Sequence, residues 1–258
     1  MDLGIKNFDF NKIYQKIIVK NNLEGTLHFF YTIYLLLVNL TNIVCYYSNI
    51  KKSFSSFNQD TWIAKNIFKN KSKGVFIDVG SYDGLSNNNT ILFEKFYKWK
   101  GHCIEPNLDA FNVLKKYRKS ILVNAIISNS NKKYYSFWEN NQLSRAYDKN
   151  NIFFKNKNIS NLSKVKNFKL AKFQKKYVDL ISIDCEGFEE KVIKSINFKK
   201  KIGCIIIERP NKNVHHILKK NNMIYVKRFL FDYIYINKLI FKESFKEVKY
   251  NSMPTRLI

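Results

Sequence analysis

The stretch from Gly74 to Pro106, GVFIDVGSYDGLSNNNTILFEKFYKWKGHCIEP, constrains the fold of this chain more than any other. One apolar run ends in Asp78-Val79-Gly80, a turn carries Asp83-Gly84, a segment of helical spacing follows, and a second apolar run ends in Glu105-Pro106. Apolar runs without polar alternation are strands buried on both faces, and strands separated by helical segments pair in parallel. The pattern continues. Ser120–Ile127 reads as a third strand, after a helix over Asn107–Arg118 with Pro106 just ahead of it. Tyr177–Ile196 gives a buried strand ending at Asp184, then Glu186-Gly187, then a short helix. Ile202–Pro210 is a fifth strand with Glu208 at its end, and the runs NMIYVKRFLF and DYIYINKL meet near Asp232 as an antiparallel hairpin.

The first unit has the chemistry of a nucleoside site. Gly80 lets the backbone approach a ligand with no Cβ in the way. Glu105, at the carboxyl end of the next strand, can accept hydrogen bonds from two ribose hydroxyls. The loop has neither the Lys-Ser/Thr of a P-loop nor the three closely spaced glycines of a dinucleotide fingerprint. An acidic turn that is poor at holding phosphate suits a ligand with a positive centre and no pyrophosphate, which describes S-adenosylmethionine. An ordinary strand–helix–strand unit with a Gly turn and a surface Glu is the bland alternative.

Charge needs discounting before it is read as function. The 258 residues carry a formal net charge of +25, but the only arginines are Arg118, Arg145, Arg209, Arg228 and Arg256. Arginine is the residue of bidentate phosphate and base recognition, so a chain this dependent on lysine is not expected to be a dedicated nucleic-acid reader. Cys45, Cys103, Cys185 and Cys204 form no C-x-x-C pair, so they read as free thiols in a reducing compartment, with no zinc site. His215-His216 point in different directions on any helix and read as surface residues. The Asn/Lys-rich run over Lys149–Asn161 reads as a surface loop.

The amino terminus allows several readings. Gly25–Ile50 contains no Lys, Arg, Asp or Glu and is long enough to span a bilayer. It starts too late for a signal peptide. Asn39, Thr41 and Asn42 interrupt its second half. A span that kept the downstream domain in the cytoplasm would also export Lys6, Lys12, Lys16 and Lys20, against the positive-inside tendency. The expectation is therefore a helical segment within residues 1–56. It would dock on a domain over residues 57–258, or lie on an anionic membrane surface with Lys51 and Lys52 at its edge.

Several separated blocks also carry a family resemblance. Asn58-Gln59-Asp60-Thr61-Trp62, FIDVGSYDG, Asn89-Thr90-x-x-x-Glu94, Trp99-x-Gly101, IEPN and DLISIDCEGFE, between Phe57 and Leu239, resemble the FkbM-type S-adenosylmethionine-dependent methyltransferases. The resemblance implies an α/β, Rossmann-like class I methyltransferase fold: a mostly parallel seven-stranded sheet with a terminal antiparallel hairpin. It also implies an enzyme that transfers a methyl group, usually to an oxygen of a sugar or glycan-linked product. It does not extend to Met1–Ser56. Between Phe137 and Tyr177 the threonine-leucine-aspartate-like block of many members is not recognisable, so the acceptor does not follow by analogy. On this footing Asp78, Gly80, Ser81, Tyr82 and Asp83 would line the methionine end of the cofactor. Glu105 would hold its ribose, and Asn124 and Ala125 would meet its adenine edge. Asp184, Glu186 and Glu208 fall on the same rim as candidate bases, Asp184 first because it ends its strand. The same acid could instead cap the helix beginning near Phe188. Asp184 and Glu208 could also bind magnesium, but too few oxygen ligands are in view, and no metal is expected. The expected acceptor is a sugar or glycan hydroxyl, and the expected location is cytoplasmic, with membrane contact through residues 25–50 if any. An RNA or protein methyltransferase of the same fold, or a basic module that only binds, are the rival readings.

Overall fold

A computed structural model describes residues 24–139, 144–147, 162–241 and 245–250. The expected loop over Lys149–Asn161 and the lysines at positions 6, 12, 16 and 20 lie outside the described residues. The chain begins with helix α1 (Glu24–Tyr47), then α2 (Gln59–Trp62), which runs into a π-helical turn over Ile63–Ile67. The central elements follow in order: β1 (Val75–Val79), α3 (Ile91–Tyr97), β2 (Lys100–Ile104), α4 (Leu108–Tyr117) and β3 (Ile121–Val123). Then come β4 (Ile126–Ile127), β5 (Tyr134–Trp138), β6 (Arg145–Ala146) and β7 (Leu162–Phe168). The last part holds β8 (Tyr177–Ile183), α5 (Glu189–Ile193), β9 (Lys201–Glu208), α6 (Lys212–Lys220), β10 (Met223–Phe229), β11 (Asp232–Asn237) and α7 (Lys238–Phe241).

Seven strands form one sheet in the order β10-β11-β9-β8-β1-β2-β3. Strands β3, β2, β1, β8 and β9 are parallel, while β11 is antiparallel to both β9 and β10. The sequence explains this. In β9, Ile205 and Ile207 face one apolar cluster while Cys204 and Ile206 face the other. In β1, Ile77 and Val79 divide from Phe76 in the same way. Each such side chain contributes about 1.5–3 kcal/mol on burial, so both faces must be covered by helices or loops. Asn107 and Asn211 cap α4 and α6, accepting from Ala110 N and Val214 N at 2.8 Å. The chain winds outward from β1 through β2 to β3, then returns to the other side of β1 with β8. That reversal opens a crevice at the carboxyl ends of β1 and β8.

Two expectations need correction. The run Ser120–Ile127 is not one strand: Ile121–Val123 stays in the main sheet, whereas Ile126–Ile127 turns away to pair with β7. A four-stranded sheet, β4-β7-β5-β6, also stands between β3 and β8, where the sequence pattern predicts no strand beyond Ile127. Its signal was the aromatic run YYSFW and the alternation in LSKVKNF, where Val165 is buried between exposed lysines.

Helix α1 does form where an apolar helix was expected, and it docks on the domain. Tyr34 Oη donates to Ser56 O (2.8 Å), Asn42 Nδ2 to Phe54 O (3.0 Å) and Tyr46 Oη to Tyr117 O (2.9 Å). Among the described residues no helix is long and apolar enough to cross a membrane.

Candidate active site

A cleft opens at the crevice between β1 and β8. Counting its open mouth it holds about 1060 Å³ of empty space, room for a nucleoside and an acceptor. Of the residues singled out in the sequence, Asp78, Gly80, Ser81, Tyr82, Glu105, Ala125, Asp184 and Glu186 line it.

Gly80 sits at φ +81°, and a Cβ there would lie 1.6 Å from the Asp184 carbonyl oxygen. Gly80 therefore makes room first for the neighbouring strand, and through that contact locks the loop to the end of β8. Gly80 N and Ser81 N both donate to Ile104 O, at 2.9 and 3.1 Å, and Asp184 N donates to Val79 O at 3.0 Å. Tyr82 (φ 48°) and Glu186 (φ 50°) are held in the left-handed region without being glycine. Backbone strain of this kind persists only where the surroundings over-determine it.

Glu105 is buried, with Oε2 accepting from Tyr82 N (2.8 Å) and Oε1 from Asn107 N (2.7 Å). Burial pushes its pKa up to about 7, against the two amide bonds. Each carboxylate oxygen keeps a lone pair for a ligand hydroxyl.

Several of the expected residues spend their side chains within the protein. Asp78 lines the cleft, yet its carboxylate is engaged behind the loop by Asn88 Nδ2 (2.9 Å), Thr90 Oγ1 (2.7 Å) and Arg118 (3.5 Å). Ser81 staples the strand ends, donating to Asp78 O at 3.0 Å and accepting from Ile104 N at 3.1 Å. Asp83 folds back on its own loop, accepting from Leu85 N and Ser86 N, and does not line the cleft. Asn124 braces the turn after β2 by donating to Glu105 O (2.9 Å) and Pro106 O (3.0 Å), and it too is absent from the wall. Its neighbour Ala125 is in the wall, with Ile126 and Ile127.

At the other end of the cleft Asp184, Glu186 and Glu208 gather, with carboxylate oxygens within 4.8 Å of one another. Asp184 opens toward the cleft, but the walls strip enough water from it to raise its pKa well above the carboxylate range. Repulsion from Glu208, Glu186 and Asp232 adds to the shift. Glu186 is pushed up to about 7 by burial and by Glu208, opposed by Arg145, whose Nη2 lies 3.0 Å from Glu186 Oε2. Glu208 does not line the cleft; it supports Asp184 from behind and pairs with Arg209 at 3.4 Å. The helix that follows is not capped by Asp184. Glu189 closes that turn instead, accepting from Cys185 N (3.0 Å) and Gly187 N (3.1 Å). Among the described residues this trio is the group of acids that could hold a cation. Its three ligands are half of what octahedral magnesium requires.

Sequence reasoning missed the third wall. Phe137 and Ala146 of the small sheet, with Ser144 just ahead of β6 and Phe188, form it. It also gave no role to Asn87 and Asn89, which line the cleft with side-chain carbonyl oxygens buried and without a hydrogen-bond partner.

Residues 78–227, well over half of the chain, match the model of the methyltransferase FkbM domain. The chain belongs to the FkbM methyltransferase family. The match lies inside the Phe57–Leu239 stretch that holds the sequence blocks. Among curated proteins none matches in sequence. Solved structures with a similar fold include the FkbM methyltransferase of Methylobacillus flagellatus KT: 12% identity, 64% of this chain and 43% of that one covered, TM-score 0.42. TrmK of M. capricolum, solved with S-adenosylhomocysteine, shares 16% identity over 72% of this chain and 67% of its own, TM-score 0.37. The METTL16 methyltransferase domain shares 13% over 69% and 65%, TM-score 0.41. The chain thus spans under half the length of the M. flagellatus protein.

S-adenosylmethionine is the cofactor of this methyltransferase, and the cleft suits it. Its walls carry acids and amide carbonyls and, among the described residues, no Lys or Arg, as a sulfonium with an ammonium group requires. The orphaned Asn87 and Asn89 oxygens are acceptors in want of donors, which that ammonium has.

Proposed function

We propose that this methyltransferase acts on a hydroxyl of a sugar or glycan, with Asp184 as the general base. The carrying observation is the carboxylate cluster at the cleft end, whose Asp184 and Glu186 hold protons more tightly than ordinary acids do. A carboxylate with raised proton affinity is the stronger base that a neutral hydroxyl needs as it becomes a nucleophile. Bound S-adenosylmethionine supplies an electrophilic methyl group on a positively charged sulfur. Asp184 accepts the acceptor's proton as its oxygen becomes nucleophilic. Glu208 shares that proton from behind, and Glu186, fixed by Arg145, shapes the entry. Glu105 orients the ribose, and the wall of Phe137 and Phe188 keeps water out.

An RNA acceptor is disfavoured by the same cluster, because a phosphate backbone would meet carboxylates at the entrance. The decisive assay incubates purified enzyme with cofactor and candidate glycans, proteins and RNAs, and reads methyl-sized mass shifts. Methylation confined to RNA or protein overturns the glycan reading. Asp184→Asn should leave cofactor affinity nearly intact and cut turnover ~10²–10⁴-fold. Unchanged turnover would move the base elsewhere. Loss of activity with a chelator, restored by magnesium, would make the trio a metal site.

A further inference from the structure

Helix α1 is docked with its polar side inward. Asn42, fully buried, donates to Phe54 O, and Asn39 Oδ1 is buried as well. The leucines point the other way: Leu36, Leu37 and Leu40 are 62%, 59% and 59% exposed, and Val44 and Tyr47 extend the stripe at 53% and 69%. Packing between helix and domain normally buries the apolar stripe and leaves amides in water. Here the domain takes the amides, and the leucine face is left for something else.

The surroundings say what that is. From Gly25 to Gln59 the chain has no Asp or Glu. Lysines border the carboxyl-terminal end of α1. Lys52 Nζ donates to Thr41 Oγ1 (2.7 Å), Lys51 lies 3.9 Å from the Tyr97 ring centre, and Lys95 lies 4.0 Å from that of Tyr46 with Lys119 nearby. The rings of Tyr46, Tyr47 and Tyr117 cluster at the same end, with centroids 5.3–6.3 Å apart. An apolar stripe with tyrosines and lysines at one margin matches the zones of a bilayer surface: acyl chains, interface, anionic headgroups. A second copy on this face would bring two such lysine margins together in a chain of net charge +25.

We propose that α1 lies in the surface of an anionic phospholipid bilayer, with Leu36, Leu37, Leu40 and Val44 inserted and Lys51, Lys52 and Lys95 on the headgroups. The methyltransferase domain is thereby held against a membrane, and its acceptor is met there. The lysines give selectivity for anionic lipid; the leucines give the residence.

Flotation of the full chain with phosphatidylcholine vesicles, with and without phosphatidylserine, tests this. Wild type should float with the phosphatidylserine vesicles, and Leu36→Gln/Leu40→Gln, which alters no charge, should partition at least ~30-fold less. Lys51→Gln/Lys52→Gln should reduce the preference for phosphatidylserine. S-adenosylhomocysteine binding by each variant checks that the domain is folded and separates this proposal from the catalytic one. The proposal is overturned if wild type does not float, or if the leucine variant floats as well as wild type, which would reduce the attraction to net charge. It is equally overturned if wild type sediments as a dimer that the leucine variant splits, which would make a second copy the occupant.

Discussion

At the scale of single residues, the site is governed by two close approaches. The first is between Gly80 and the Asp184 carbonyl. A methyl group at Gly80 must displace the backbone of the next strand, and its φ of +81° also disfavours any side chain. Gly80→Ala should therefore lose ~2–4 kcal/mol of stability and most cofactor binding, read by urea unfolding and calorimetry. Glu105→Ala, which keeps the backbone path, should weaken S-adenosylhomocysteine by only ~1–3 kcal/mol. The second approach is Glu208 upon Asp184, Glu186 and Asp232, all raised in part by its charge. Carboxylates whose pKa is raised on folding hold more protons in the native state between the ordinary and the shifted value. Their ionisation thus lowers stability as pH climbs from about 4.5 past about 7. Glu208→Gln removes the shared repulsion. Its melting temperature should match wild type near pH 4.5, pull ahead as pH climbs from about 4.5 to about 7, and hold that lead at higher pH. A constant offset across that window would show that the acids do not repel one another.

At the scale of elements, the loop between β1 and α3 is held from behind by one side chain. Arg118, fully buried at the end of α4, donates to Glu94 (2.5 Å), Thr90 Oγ1 (2.7 Å), Asn88 Oδ1 (3.0 Å) and Gly84 O (3.3 Å), and reaches Asp78 at 3.5 Å. Arg118→Met leaves Asp78 and Glu94 buried without their cation and should cost ~3–5 kcal/mol in urea unfolding. A loss under ~1 kcal/mol would mean that water or another group satisfies them. None of this was legible in the sequence, where Arg118 is one basic residue at a helix end. The strands were legible, because runs such as IGCIIIERP can only be buried on both faces. The rim acids were legible because parallel strands present their carboxyl ends together. Where the sequence was opaque, the structure is short or polar: β4 and β6 have two residues each, and β7 buries little beyond Val165 and Asn167. The side-chain partners of Asp83 and Asn124 were not legible either. Asp83 satisfies amides of its own loop, whereas Asn124 braces the turn after β2, a contact between residues far apart in sequence.

At the scale of the whole molecule, the excess of lysine is a field as well as a membrane contact. A chain of 258 residues folds to a radius of gyration of roughly 18 Å. At an ionic strength of about 0.01 M the screening length is roughly 30 Å, so charges across the molecule feel one another. At about 0.15 M it is roughly 8 Å, and only neighbours do. With a net charge of +25 the sum of these distant interactions is repulsive, and the unfolded chain relieves it by expanding. Among the described residues the ion pairs that work the other way are local. Lys71–Asp179 at 2.6 Å has an exposed lysine, and the buried Arg118 network is shielded from salt by its surroundings. Moderate salt should therefore stabilise the free methyltransferase, with the melting temperature rising about 2–4 °C for each kcal/mol of repulsion removed. Differential scanning fluorimetry across a sodium chloride series at constant pH measures this. A melting temperature that falls with salt would show that attractive pairs outweigh the net charge. One that rises should do so alongside release from phosphatidylserine vesicles, since the same lysines generate both effects.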